Sequence, residues 1–423
     1  MKSVFAVLAI LTVLCVAIGD ANPLKPLKLY LSQRRPGRDA CPDPDHPVGI
    51  NLAQEQYFVQ FVDQVGKTEP LQQRFWQNDQ WYKPGGPQFL MLAGEATASS
   101  AWVERDDLEW TSLAKEVGAR VFLLEHRFYG KSQPSNFFPG LFTPFDYLNS
   151  QQAAADVVAF ITGQNGNLNI TNPRWILFGG SYAGALAAWI REKHPDSVYA
   201  AVASSAPVQA VVNFKSYLEG VYNVLHSYDP KCAESVRKGF YDFNRLLQTP
   251  LGRMSLQSTF RLCNDITNID NNTQSFIYQA ILEGYERVVQ FSEINVGDYA
   301  TKLTIPELCK RQLGADSDLD GLVSINNWML FEDFESCLDT DYHQYILDLQ
   351  NGYAGRDDGD YRAWFYQQCN EFGFFRSTDS DFVSNQFPGA DVPIDYYLQQ
   401  CQLVMVPYPP SEDRNHGNRR GPR

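Results

Sequence analysis

The sequence predicts an α/β protein: a sheet with helical crossovers, followed by an inserted helical cap. Three observations carry that reading. Four short runs, Gln88–Ala93, Arg120–Glu125, Trp175–Phe178 and Tyr199–Ser204, are apolar on both faces, the pattern of strands covered by helices on either side. Between them, Asn149–Ile161 and Tyr182–His194 have helical character, so strand and helix alternate. After Pro207 the texture changes. Phe214–Leu247 and Thr273–Gln290 have helical periodicity without comparable strands, and six of the eight cysteines fall in this half.

Length and composition agree. With 423 residues, 44% hydrophobic and 20% charged, the chain can bury one large core or two domains. Residues 1–19 carry a lysine, an apolar run from Val4 to Ile18 and then small residues, which predicts a secretory signal peptide. An extended lead-in, 20–50, precedes the N-terminal part of the α/β unit at 51–210. The helical cap then occupies 211–402, and a basic, turn-rich tail, 403–423, is expected to be disordered. No later segment has the length of a membrane span. The net charge of −14 and pI of about 4.9 argue against a nucleic-acid partner and would leave the protein nearly neutral in an acidic organelle.

The chemistry concentrates in residues 179–184, Gly-Gly-Ser-Tyr-Ala-Gly, between the strand Trp175–Phe178 and the helix-forming run Ala185–Ile190. Strand, glycine-flanked serine and helix in that order form a nucleophile elbow, taken here as Gly-x-Ser-x-Gly. Gly179 and Gly184, with Gly180 adjoining, are expected to permit the strained bend. Ser181 is then the candidate nucleophile, and the backbone N–H of Tyr182 faces the developing oxyanion.

Further motifs occur in one order: Leu92-Ala-Gly-Glu95, Glu125-His-Arg-Phe-Tyr-Gly-Lys-Ser132, Phe178-Gly-Gly-Ser-Tyr-Ala-Gly184 and Ala203-Ser-Ser-Ala-Pro207, with Phe75-Trp-x-Asn78 and Leu186-Ala-Ala-Trp189. Over about residues 48–402 the chain resembles the serine exopeptidases that include lysosomal Pro-Xaa carboxypeptidase, dipeptidyl peptidase II and thymus-specific serine protease. The resemblance implies an α/β-hydrolase sheet, a helical lid and cleavage of peptides next to proline. It places a second oxyanion donor around Gly94-Glu95, where Ala96 replaces a glycine usual in the family. It also implies the disulfides Cys232–Cys309, Cys263–Cys337 and Cys369–Cys401, whereas the residues alone leave fifteen connectivities for six cysteines. Seven cysteines remain beyond the signal segment, so one thiol, with Cys41 a candidate, lacks an intrachain partner.

A serine hydroxyl needs a base, and in this fold the acid and histidine follow the cap. The family's motifs for them, Asn-Gly-x-x-Asp-Pro-Trp and Ala-His-x-x-Asp, do not occur here. The expectation is a chain lacking the final sheet strands, with an open apolar edge and little peptidase activity. None of the six histidines offers a ready substitute. His194 would lie roughly 20 Å along the elbow helix at 1.5 Å per residue. His126 reads as a structural hydrogen-bonding residue beside the site; His226 and His343 fall in the cap, His46 in the lead-in and His416 in the tail.

Weaker signals fill in the picture. Asp316-Ser-Asp-Leu-Asp-Gly321 opens like a calcium loop, but Asn327 stands where the closing glutamate is needed, so a solvated acidic turn is expected. No Cys-x-x-Cys or His-x-x-x-His spacing suggests zinc, and no cofactor is implied. Asn169-Ile-Thr171 and Asn271-Asn-Thr273 are glycosylation sequons, in keeping with a secreted or endolysosomal luminal protein. Three functions compete: a proline-specific serine exopeptidase acting on peptides, a non-catalytic relative, and an esterase or lipase on the same elbow. The Glu-His-Arg-Phe-Tyr-Gly motif and the cap cysteines count against the last.

Overall fold

The computed structural model describes residues 53–67, 69–134, 145–292, 303–351, 357–380, 387 and 391–405. The signal segment, the lead-in with Cys41 and His46, and the tail from residue 406 with His416 lie outside the described residues.

The architecture is an α/β-hydrolase sheet joined to a helical cap. Six strands, β1 (Gln56–Phe61), β2 (Pro70–Asn78), β3 (Gln88–Leu92), β4 (Arg120–Leu124), β5 (Trp175–Gly180) and β6 (Ala200–Ser204), lie in the order β1-β2-β4-β3-β5-β6. β1, β2 and β4 pair antiparallel, while β4, β3, β5 and β6 run parallel. Parallel neighbours need crossover helices. Glu109–Val117 connects β3 to β4, Ser150–Asn167 connects β4 to β5, and Ser181–Lys193 connects β5 to β6. Every residue of β4 is buried, as its apolar run predicts for a strand covered on both faces.

The fourth predicted buried strand differs. β6 is the last strand of the sheet, its outer edge pairs with no strand among the described residues, and Val202 is 43% exposed. Its apolar run therefore describes a strand packed on the elbow helix at one side and open at the other. The helix predicted over Asn149–Ile161 extends to Asn167, and near its end Asn165 Oδ1 accepts a hydrogen bond from Trp175 Nε1 of β5 at 2.8 Å. Asn149 caps its start by accepting from the Gln152 N–H, as N-cap chemistry favours.

In the cap, the stretch of helical periodicity Phe214–Leu247 forms two helices, Lys215–Tyr228 and Pro230–Leu247. Asp229 caps the second and Pro230 opens it, the arrangement that breaks a helix and starts another. Thr273–Gln290 lies within Asn271–Phe291, capped by Asp270. The acidic stretch at Asp316 begins a helix, Asp318–Glu332, with Ser317 accepting from the Asp320 N–H, so it is a helix N-terminus and not the expected solvated turn.

The cap also holds a parallel pair that sequence pattern missed: β7 (Val211–Asn213) with β8 (Gly373–Phe375). Three-residue strands are too short to show periodicity. The disulfides pair as the resemblance implies, Cys232–Cys309, Cys263–Cys337 and Cys369–Cys401. The two regions share packing: Trp364, Phe372 and Phe374, late in the chain, pack into the core built on β3, β5 and the elbow helix. Among the described residues no helix is long and apolar enough to cross a membrane.

Candidate active site

Ser181 stands where β5 ends and the helix Ser181–Lys193 begins, with φ +55°. A non-glycine residue in the left-handed region is strained and persists only where its surroundings enforce it. The serine itself carries this strain. Gly179 and Gly184 have ordinary backbone angles, and their requirement is space. A Cβ on Gly179 would sit 2.3 Å from the Ala183 carbonyl oxygen, and one on Gly184 would meet the Gly179 and Ser204 carbonyl oxygens at 2.9 and 3.0 Å. Gly180 has nothing within 4 Å. The glycine expected directly after Tyr182 is Ala183, and the close-packed position falls one residue later, at Gly184.

The Ser181 side chain is exposed, and its Oγ donates to Glu95 Oε1 at 3.5 Å. Glu95 belongs to the loop after β3, so the structure brings together three of the predicted site positions, Gly94, Glu95 and Ser181. Gly94 lies against the elbow helix, where an added Cβ would be 3.6 Å from the Ala183 Cβ. The helix has no side-chain cap at Gly180. Its first N–H groups, Tyr182 among them, therefore lack the partner a cap would supply and form a ready site for negative charge.

Tyr182 itself is fully buried. Its hydroxyl lies 2.9 Å from His126 Nε2, and His126 Nδ1 lies 2.8 Å from the Arg127 carbonyl oxygen. A carbonyl only accepts, so Nδ1 carries the proton and Nε2 accepts from Tyr182. Gln367 Nε2 donates to the Tyr182 oxygen at 3.3 Å, and Tyr129 donates to Gln367 Oε1 at 2.6 Å. Both nitrogens of His126 are thus occupied, and burial lowers its pKa to about 4. It is a neutral structural group, as its sequence context suggests. Burial likewise raises the Tyr182 phenol well above its usual range. His226 stacks on Tyr222 within the cap, and His194 ends the elbow helix.

The Glu125–Ser132 motif supplies the frame. Glu125 is fully buried and accepts from Arg74 Nη2 at 2.5 Å, from the Ala98, Lys131 and Ser132 N–H groups at 3.0, 3.1 and 3.0 Å, and from Ser132 Oγ at 2.7 Å. Gly130 has φ +52°, and a Cβ there would lie 2.2 Å from Glu125 Oε1; only glycine fits. Arg127 forms a forked, fully buried pair with Asp156, Nε to Oδ2 and Nη2 to Oδ1 both at 2.7 Å. Its remaining donors reach the carbonyls of Phe61, Val62 and Tyr147.

Sequence pattern missed Asp360, on the cap helix Asp357–Gln367. Its Oδ2 accepts from the Thr97 N–H and Oγ1 at 2.7 and 2.6 Å, and its Oδ1 from the Gly130 N–H at 2.9 Å. Burial raises its pKa to about 6. Asp156 was also missed, although an acid inside the apolar run Ala153-Ala-Ala-Asp-Val-Val158 is the visible signature of a buried ion pair. Asp360 carries no such signature, since its partners lie 230 and 263 residues away.

A serine on a left-handed turn between a central parallel strand and its crossover helix, in a sheet of this order, defines the α/β-hydrolase class of serine hydrolases. Within that class the chain belongs to the serine carboxypeptidase S28 family, whose model matches residues 60–410. K12H4.7 of Caenorhabditis elegans, provisionally named a serine protease, is 38% identical over 96% of this chain and 81% of its own length. Human thymus-specific serine protease is 34% identical over 78% of this chain and 65% of its own. Human lysosomal Pro-X carboxypeptidase is 31% identical over 51% of this chain and 44% of its own. The chain thus spans between 44% and 81% of these relatives' lengths.

Proposed function

We propose that this chain is a proline-specific serine exopeptidase, with Ser181 as the nucleophile attacking a peptide carbonyl. The observation that carries the reading is the left-handed Ser181 at the head of an uncapped helix. The hydroxyl is held exposed, and helix N–H groups stand beside it where a tetrahedral oxyanion would form. Tyr182 N–H and the Gly94-Glu95 loop are the oxyanion donors in this reading. The name of one relative, thymus-specific serine protease, supports a peptide substrate, and that of another, lysosomal Pro-X carboxypeptidase, supports proline near the cleaved bond.

A second reading, a chain inactive by itself, has its own support. Among the described residues the recorded hydrogen bond of Ser181 Oγ goes to Glu95 at 3.5 Å, and His126 is locked into structural bonds. A carboxylate at that distance is a weak proton acceptor for a serine. Three disulfides and the lysosomal relative favour a secretory or lysosomal compartment. Asn169 and Asn271, both exposed, are then candidate glycan acceptors.

Purified protein treated with a fluorophosphonate probe separates the two readings. Covalent labelling at Ser181, lost in Ser181→Ala and accompanied by cleavage of a Pro-Xaa peptide, is the outcome expected of the exopeptidase. No labelling of folded protein would favour the inactive reading.

A further inference from the structure

Asp360 is a buried carboxylate that reaches from the cap to two loops beside the candidate nucleophile. Its first oxygen holds Thr97 by both backbone and hydroxyl, and its second holds the Gly130 N–H. On the strand side, the Ala93 N–H bonds the Leu124 carbonyl at 3.0 Å, and on the far side the Ala98 N–H bonds Glu125 Oε1 at 3.0 Å. Gly94, Glu95 and Ala96 therefore bridge two anchored points, and Glu95 meets Ser181 at the middle of that bridge. Removing the Thr97 anchor lengthens the free span and lets the loop drift from the position an oxyanion requires.

We propose that Asp360 is a positioning residue: from the cap helix, its carboxylate sets the Gly94–Thr97 loop against Ser181 by holding Thr97. The proposal rests on the reading of Ser181 as nucleophile. It gives the cap a part in the chemistry beyond covering the site, because a cap that lifts withdraws an anchor from the oxyanion loop.

The anchor titrates. Burial pushes Asp360 up to about 6. Among the described side chains, charged or titratable groups on the elements it meets are Glu95 on the first loop, Glu125, His126, Arg127, Tyr129 and Lys131 on the second, and Tyr361, Arg362 and Tyr366 on its own helix. Glu125 is tied to Arg74, Arg127 to Asp156, and His126 to Tyr182. The folded value lies above the unfolded one, so the carboxyl is held best when neutral and ionisation through about 6 weakens the hold.

The experiment measures the rate of fluorophosphonate labelling at Ser181 from pH 4.5 to 8, together with hydrogen exchange of the backbone amides of 94–99. Asp360→Asn, which replaces one of the two acceptor oxygens by a donor, should slow labelling about 10-fold at pH 7 and expose the Thr97 amide. Thr97→Val, which keeps the amide and loses the hydroxyl, should give a smaller loss. Glu371→Gln is the control for cap attachment, since Glu371 accepts from the Ser150 N–H and hydroxyl without touching the loop; it should leave labelling within about twofold. Equal slowing in Glu371→Gln and Asp360→Asn would overturn the proposal, as would an unchanged Thr97 amide in folded Asp360→Asn. If wild-type protein does not label, the nucleophile reading falls. The exchange arm then still decides the anchor: exposure of Thr97 upholds it and unchanged protection refutes it.

Discussion

Buried ion pairs join distant segments in both the sheet layer and the cap, where Arg376 meets Glu286 and Arg287 meets Asp333, but among the described residues only the cap adds disulfides. Around the sheet, segments far apart in sequence are joined by buried charge: Arg74 with Glu125, and Arg127 with Asp156. The cap carries all three disulfides found among the described residues, around one continuous core rich in Tyr and Phe, with Phe240 touching Tyr278, Tyr285 and Phe387. A buried ion pair acts in the folded state and is costly to leave half-made. A disulfide acts largely by restricting the unfolded chain. Among the described residues the region bearing the candidate nucleophile thus depends on native geometry alone, and the cap on native geometry with covalent constraint added.

The largest expected effect comes from breaking a buried pair. Arg127→Met leaves Asp156 fully buried with its main partner gone and should cost about 3–5 kcal/mol, read from urea unfolding. A loss below about 1 kcal/mol would show that the pair is not central to the sheet layer.

Next is the cap. Replacing Cys263 and Cys337 together by serine opens a link between positions 74 residues apart and should cost about 2–5 kcal/mol. Hydrogen exchange should loosen the helix Asn271–Phe291 before β4. Equal loosening of both would erase the contrast between the regions.

The smallest effect is a divergence with pH. In the cap, burial raises Glu283 to about 8 and Asp391 to about 6. Their folded values lie above the unfolded ones, so the neutral acids suit the fold, and cap stability falls as pH rises from about 4.5 to 8. In the sheet layer His126 is lowered to about 4. Its contribution is present above about 6.5 and is lost as pH falls towards 4. Moving from pH 8 to 5 should therefore strengthen the cap and weaken the sheet layer. Tracked by region-resolved hydrogen exchange, a shift of the same sign in both would contradict this assignment.

Much of this was legible in the chain. The strands β3, β4 and β5 show as apolar runs because helices cover both faces, and the serine turn shows because strand, glycines and helix are contiguous. β1 and β2 were not singled out, since antiparallel strands with mixed burial lack a continuous apolar run. The cysteine pairing was open from the residues alone and came only through family resemblance, because connectivity depends on how helices pack.

The sequence by itself determined the alternation of strand and helix, the serine between them and the change of texture at the cap, all of which depend on neighbours within a few residues. Only the tertiary structure decided that the backbone strain sits on Ser181 and not on its glycines, that His126 is spent on Tyr182, and that Asp360 reaches back to Thr97. Each of these depends on groups tens to hundreds of residues apart, where hydrogen bonding and burial are set by packing and leave no local pattern.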